Sequence, residues 1–175
     1  MKKLVIFEKI KDQLYSASFD PDGEDELDRA FSFWRNGEQL RSFFDVHRRD
    51  LEAFDFTKKA RYAATEVLID SKNISRHFIE MSKERRLGEL FRPLDNREDG
   101  FFDFQKVKMR GAQYKSMLRL YAVHLTGCFV ISGSAIKLTD KMDRPHLRAE
   151  LYKLELVSHY LRTNGQHSNF VYMDI

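Results

Sequence analysis

The stretch Met117-Leu118-Arg119-Leu120-Tyr121-Ala122-Val123-His124-Leu125-Thr126-Gly127-Cys128-Phe129-Val130-Ile131-Ser132-Gly133-Ser134-Ala135-Ile136-Lys137-Leu138 decides the fold. Two runs rich in aliphatic, aromatic and β-branched residues flank Thr126-Gly127, and a two-residue connection of this kind reads as a β-hairpin. With Thr126 and Gly127 as the loop, Leu125 faces Cys128 and pairing proceeds outward. One face then carries Leu118, Leu120, Ala122, Ile131, Gly133 and Ala135, apolar and small enough to pack on a helix. The other carries Arg119, Tyr121, Val123, Val130, Ser132 and Ser134. Gly133 would oppose Leu120, which points to close packing or a bulge. A bulge would also decide the direction of Lys137, which the sequence leaves open.

On the C-terminal side, Pro145 suits the first turn of a last helix. Leu147, Leu151, Leu154, Val157 and Leu161 form its apolar stripe, and Asn164-Gly165 supplies a left-handed cap, with a peripheral tail beyond. At the other end of the chain, Leu14 to Phe19 reads as a strand ending at the turn Asp20-Pro21-Asp22-Gly23, with Leu4 to Phe7 as an earlier partner. The acids Glu24 to Asp28 open a helix bearing Leu27, Phe31 and Trp34 on one face. After a break at Asn36-Gly37, Leu40, Phe43, Phe44, His47 and Leu51 share a second helix. Thr57 caps a long third helix running to about Arg86, closed by Gly88. Residues 89–103 read as a loop whose phenylalanines pin it to the core. The fold class is therefore α+β: a small antiparallel sheet packed by helices, with a large helical segment (24–103) between the N-terminal strands and a hairpin–helix core (105–163). At 175 residues this is a single domain.

Several function classes drop out. Cys128 is the only cysteine, which excludes an intrachain disulfide and a cysteine-based metal cluster and reads as a buried structural thiol. Asp20, Asp22 and Asp25 lack the glycine placement and terminal Glu of a calcium loop, and the six scattered histidines form no metal set, so neither metal nor cofactor is expected. No apolar run is long enough to span a membrane. The opening run Leu4 to Phe7 is too short for a signal peptide, so a cytoplasmic setting is expected. No phosphate-binding Gly-rich loop, zinc-protease motif or nucleophile elbow occurs.

Charge supplies the positive clue. Residues 1–56 carry nine Lys and Arg against 13 Asp and Glu, whereas residues 57–175 carry 21 against 14. From Phe104 to Thr139 there is no Asp or Glu, yet Lys106, Lys108, Arg110, Lys115, Arg119 and Lys137 fall there. An acid-free stretch on a hairpin scaffold is an electropositive surface suited to a polyanion. Lys106, Lys108, Arg110, Lys115, Tyr121 and Lys141 are the expected nucleic-acid contacts. The segment from Lys137 to His146 runs from a strand end to a helix start. There Arg119, Lys137 and Arg144 can hold a phosphodiester while His146 exchanges a proton, which is the chemistry that RNA cleavage by 2′-hydroxyl attack needs.

Leu118-Arg119-Leu120-Tyr121 in one strand, followed by Ala135-Ile136-Lys137-Leu138-Thr139 ending the next and then a helix, resembles the core of RelE/HigB-type toxins over about residues 105–163. The resemblance implies a small α+β fold with a curved antiparallel sheet and helices on one side. It also implies mRNA cleavage in the ribosomal A site and neutralisation by a partner antitoxin. By position, Arg119 matches a strand arginine that contacts phosphate and Lys137 the lysine at the strand end. Arg144 and His146 rest on chemistry alone. The chain departs from such toxins in its length, its helical segment and the lack of a Tyr-Arg pair on a further strand. A noncatalytic module that binds nucleic acid or protein through the same hairpin stays open beside the toxin reading.

Overall fold

The computed structural model describes residues 4–20, 22–113 and 115–164. Six strands, β1 (Val5–Ile10), β2 (Leu14–Ser18), β3 (Phe91–Pro93), β4 (Lys106–Arg110), β5 (Leu118–Leu125) and β6 (Cys128–Ile136), form one sheet in the order β1-β2-β6-β5-β4-β3. Every neighbouring pair is antiparallel except β2 and β6, which run parallel over three residue pairs. Parallel neighbours need a long crossover, and everything between Ser18 and Cys128 serves as one here.

Helices cover both faces, unlike the one-sided arrangement that the toxin resemblance implies. On one face lie α1 (Glu26–Trp34), α2 (Gly37–Val46), α3 (Arg48–Phe54) and α4 (Ala60–Lys83). Their Trp34, Leu40, Phe44, Val67 and Ile74 pack against Leu118, Leu120, Ala122 and Ile131. On the other, α5 (Pro145–Asn164) packs Leu147, Leu154, Val157 and Leu161 against Ile6, Tyr121, Val123, Val130 and Ala135. Leu120 to Val123 are all buried because β5 is central and covered on both sides, which is why the strand reads as a near-continuous apolar run.

The hairpin pairs as expected at its tip, Leu125 opposite Cys128, but a bulge at Ser132 intervenes: Tyr121 pairs with Gly133 and Ala122 with Ile131. The extra residue turns the rest of β6 over. Ala135 and Gly133 thus join the α5 side with Tyr121 and Arg119, while Ile136 joins the opposite core.

Helix boundaries differ in instructive ways. Asp25 caps α1 by accepting from Leu27 and Asp28 N–H, and Asn36 caps α2 through Gln39 N–H. The expected second helix breaks at His47 into α2 and α3. Thr57 does not cap α4; its hydroxyl and N–H go to Asp55, and the helix starts three residues later behind Lys59 with no side-chain cap. The expected loop 89–103 contains β3 and, just before it, a 3₁₀ turn at Leu87–Leu90. Phe91 in β3 is buried, whereas Phe101 and Phe102 stay largely exposed. Gly165 and the tail lie outside the described residues.

Candidate nucleic-acid interface

The basic residues of the acid-free stretch fall into place through strand register. Residues directly opposite in an antiparallel pair share a face. Arg92, Lys108 and Tyr121 therefore form one row across β3, β4 and β5, and Arg110, Arg119 and Ala135 form the next across β4, β5 and β6. Rows two residues apart are separated by about 7 Å. Both rows lie on the α5 side of the sheet, where α5 packs chiefly on β6 and β5 and meets β4 through the Glu155–Lys106 ion pair. Arg92 and Arg110 are exposed, and Lys108, Arg119 and Lys137 are half-buried.

These cations sense one another. Burial lowers the Lys108 ammonium below its ordinary range, and Arg110, Arg119 and Arg92 lower it further. Burial, with Arg119, Lys108 and Arg110 beside it, does the same to Lys137, against the opposing pull of Asp140. Arg119 is pushed down to about 10, mainly by burial and then by Arg110. Two like charges about 7 Å apart repel by roughly 2 kcal/mol at an effective dielectric of 20, so the cluster is held together against its own field.

Backbone acceptors do the holding. Arg119 Nη1 donates to the carbonyls of Ser116 and Leu118, both at 2.7 Å, which leaves its other guanidinium donors available. Lys137 Nζ donates to the Asp140 carbonyl at 2.8 Å. Lys108 Nζ donates to Leu94 O at 3.2 Å and to Asn96 Oδ1 at 2.9 Å. Carbonyls orient these groups without neutralising them, and among the described residues Arg92 and Arg110 form no ion pair. Beneath the face, the loop 111–117 hangs on Asp70 of α4. That carboxylate accepts from the Ala112 and Gln113 N–H groups and from the Ser116 hydroxyl, which in turn accepts from Leu118 N–H.

Other expected contacts are placed elsewhere. Tyr121 is 1% exposed, its hydroxyl 3.6 Å from Met142 Sδ, so its ring belongs to the core under α5 and presents no stacking surface. Lys106 is ion-paired with Glu155 at the rim of α5. Lys115, with a left-handed backbone (φ 54), lies within electrostatic reach of Asp55. Lys141 is exposed on the loop before α5.

The two residues proposed on chemistry alone, Arg144 for charge and His146 for proton exchange, do not join the face. Arg144 makes a two-pronged ion pair with Asp50 of α3, both contacts 2.9 Å, and a longer one with Asp143. His146 turns its Nε2 toward the Ile136 carbonyl at 3.2 Å, and its ring lies against Phe43 of α2 and His47 at the α2–α3 break. A bidentate carboxylate and a carbonyl bond are fixing contacts, and they tie the start of α5 to the helical layer. Arg119 and Lys137 are thus brought together, and Arg144 and His146 are drawn away from them. Arg92 escaped the sequence reading because Phe91-Arg92-Pro93 is too short for a period and contains a proline.

Among the described residues, no three His, Cys, Asp or Glu side chains are placed to hold a metal ion, and no helix is long and apolar enough to cross a membrane. Comparison of the chain with protein-family models, with curated proteins and with solved structures finds no match.

Proposed function

We propose that the protein is RNA-directed and binds a phosphodiester backbone on the α5 side of the sheet, through Arg92, Lys108, Arg110, Arg119 and Lys137. The observation that carries this reading is five cations on one face of the sheet, three of them (Lys108, Arg119 and Lys137) held by carbonyls and none in an ion pair with a carboxylate among the described residues. Asp95 and Asp140 act at its margins, and the buried Asp70 acts on Arg119 from beneath. Mutual repulsion gives such a cluster no value for folding, whereas a polyanion turns each charge into a favourable contact and releases its own counterions. A cytoplasmic setting, where RNA or the ribosome is at hand, goes with this reading, as does an antitoxin-like protein partner that masks the face.

Binding ranks ahead of cleavage. The toxin-like reading, ribosome-dependent mRNA cleavage, is favoured by the convergence of Arg119 with Lys137, which would stabilise the charge at the scissile phosphate. With His146 bonded to a carbonyl and Arg144 to Asp50, neither of those two residues is placed to act at that face.

The test is fluorescence anisotropy with labelled single-stranded RNA across a salt series, run beside a gel for RNA integrity. Five phosphate contacts give a slope of about −3.5 in log K against log salt, and Arg119→Ala with Lys137→Ala brings it to about −2. Intact RNA with these slopes supports the binding module. Growth arrest and mRNA cutting on induced expression, lost in the double mutant, would support the toxin. Binding indifferent to both salt and the double mutation refutes the assignment of this face.

A further inference from the structure

Four side chains fasten the first turn of α5 to the helical layer. Arg144 grips Asp50 of α3 with two contacts of 2.9 Å and reaches Asp143 at 3.3 Å. Beside that pair, the rings of His146 and His47 lie 4.8 Å apart, and both rest on Phe43. A carbonyl can only accept, so the bond from His146 Nε2 to Ile136 O puts the proton on Nε2 and leaves Nδ1 as a bare acceptor. Nδ1 is buried and meets no donor among the described residues. A proton there would become a buried N–H without an acceptor. His47 is half-buried at the break between α2 and α3 and makes no side-chain cap bond to α3.

The surrounding charges also disfavour an imidazolium. Asp50 is the carboxylate that acts on both rings, and Arg144 already occupies both of its oxygens. Arg48, next along α3, turns to Asp45. On the cavity side of His146, Glu150 gives one oxygen to the Ser134 N–H and the other to Lys153, which also holds Glu26 of α1. Glu24 and Arg29 line the same cavity further out. His146 stands in the first turn of α5, where the helix dipole opposes a cation. Burial first, then His146 and Arg144, hold the His47 imidazole below its ordinary 6.5, against the opposing pull of Asp50.

We propose that His47, His146, Asp50 and Arg144 form an acid-sensitive clasp: with both rings neutral it holds the first turn of α5 on α2 and α3, and a proton on His47 competes with Arg144 for Asp50 and releases that turn. The clasp stands apart from the cationic face and does not depend on the RNA reading. The docked state resists the proton and the released state takes it up at the ordinary value. The hold is therefore complete above pH 6.5 and lost as pH falls from there through the lower docked value. Asp50, kept below 3.8 by its bonds from Arg144, titrates outside that window.

The test is hydrogen exchange by NMR on the full chain at pH 7 and pH 5, with rates corrected for the intrinsic effect of pH. The probe is the Arg148 N–H, which donates to the Arg144 carbonyl at 2.9 Å and closes the first turn. Amides of the central strand β5 are the reference for global opening. Between pH 7 and pH 5, protection of Arg148 should fall about tenfold while the β5 amides keep theirs. In His47→Gln, which takes up no proton and leaves Glu150 to titrate as before, the fall should shrink to about twofold or less. Should that variant lose its fold, His47→Phe, which keeps a ring against Phe43 and His146, carries the test with the same expectation. Constant protection of Arg148, an equal fall in β5, or a fall undiminished in the variants would overturn the proposal.

Discussion

The perturbation that tests most of the architecture at once is Gly111→Ala. Gly111 follows β4, and its N–H donates to Leu118 O at 3.3 Å. A methyl built there would stand 2.5 Å from the Asp70 carboxyl carbon and closer still to Oδ2 and to Ser116 Oγ. Asp70 is 2% exposed and fixed by the N–H groups of Ala112 and Gln113 and by the Ser116 hydroxyl, so it cannot yield without losing them. Hydrogen bonds to a charged acceptor contribute about 1.5–3 kcal/mol each. With two of the three donors partly reachable by water, we expect Gly111→Ala to cost about 3–5 kcal/mol. Asp70→Ala breaks the same bonds directly and should cost about the same. The double variant separates steric conflict from general damage. Once the carboxylate is gone the methyl has room, so the pair should also cost about 3–5 kcal/mol rather than twice that. Urea denaturation reads this out, each variant losing about 2 M in midpoint for a slope of about 2 kcal/mol per molar. Losses that add in the double variant, or a Gly111→Ala cost below about 1 kcal/mol, would show that the Asp70 anchor does not organise this loop. RNA affinity should fall in the same variants, because Ser116 and Leu118 present the carbonyls that aim Arg119.

Three further outcomes follow from the same contacts. Arg144→Ala should leave RNA affinity unchanged while lowering thermal stability, since its guanidinium faces Asp50; a large loss of RNA binding in anisotropy would return Arg144 to the interface. Burial raises the Asp25 carboxyl, but hydrogen bonds from Lys9, Ser16 and the Asp28 N–H, with the charge of Lys9, outweigh it and hold the group below its usual 3.8. Its stabilisation is thus complete above pH 3.8 and lost as pH falls through the lower folded value, so Asp25→Asn, which keeps the helix cap, should flatten the acid limb of a melting-temperature profile. Burial, with Asp103 nearby, pushes the Cys128 thiol up to about 11. Iodoacetamide at pH 8 should modify it about 100-fold more slowly than in the unfolded chain, and equal rates would contradict its placement.

The hairpin tip, the α5 start at Pro145 and the N-terminal strand pair were legible because each rests on local rules: turn chemistry, proline's fixed φ and alternation of side chains. The α+β class followed from the same signals. The bulge at Ser132 was signalled by Gly133 alone, and the side to which it turned Ala135 depended on α5 docking there. β4 hid inside the basic run, since Lys106, Lys108 and Arg110 alternate with Val107 and Met109 too briefly to outweigh their charges.

The sequence by itself determined that positive charge gathers around the hairpin, because an acid-free run of that length has no carboxylate adjacent along the chain; only the fold brought Glu155 to Lys106. Which charges share a face was decided only by strand register and by the position of α5. Register set Arg92, Lys108, Arg110 and Arg119 in adjacent rows on the sheet. Docking of α5 buried Tyr121 and left Arg92 and Arg110 exposed. Long-range pairing of α3 with the start of α5 drew Arg144 to Asp50, 94 positions earlier in the chain, and packing on α2 turned His146 inward. Residues far apart in sequence meet through burial and loop closure, and no local pattern in the chain encodes those meetings.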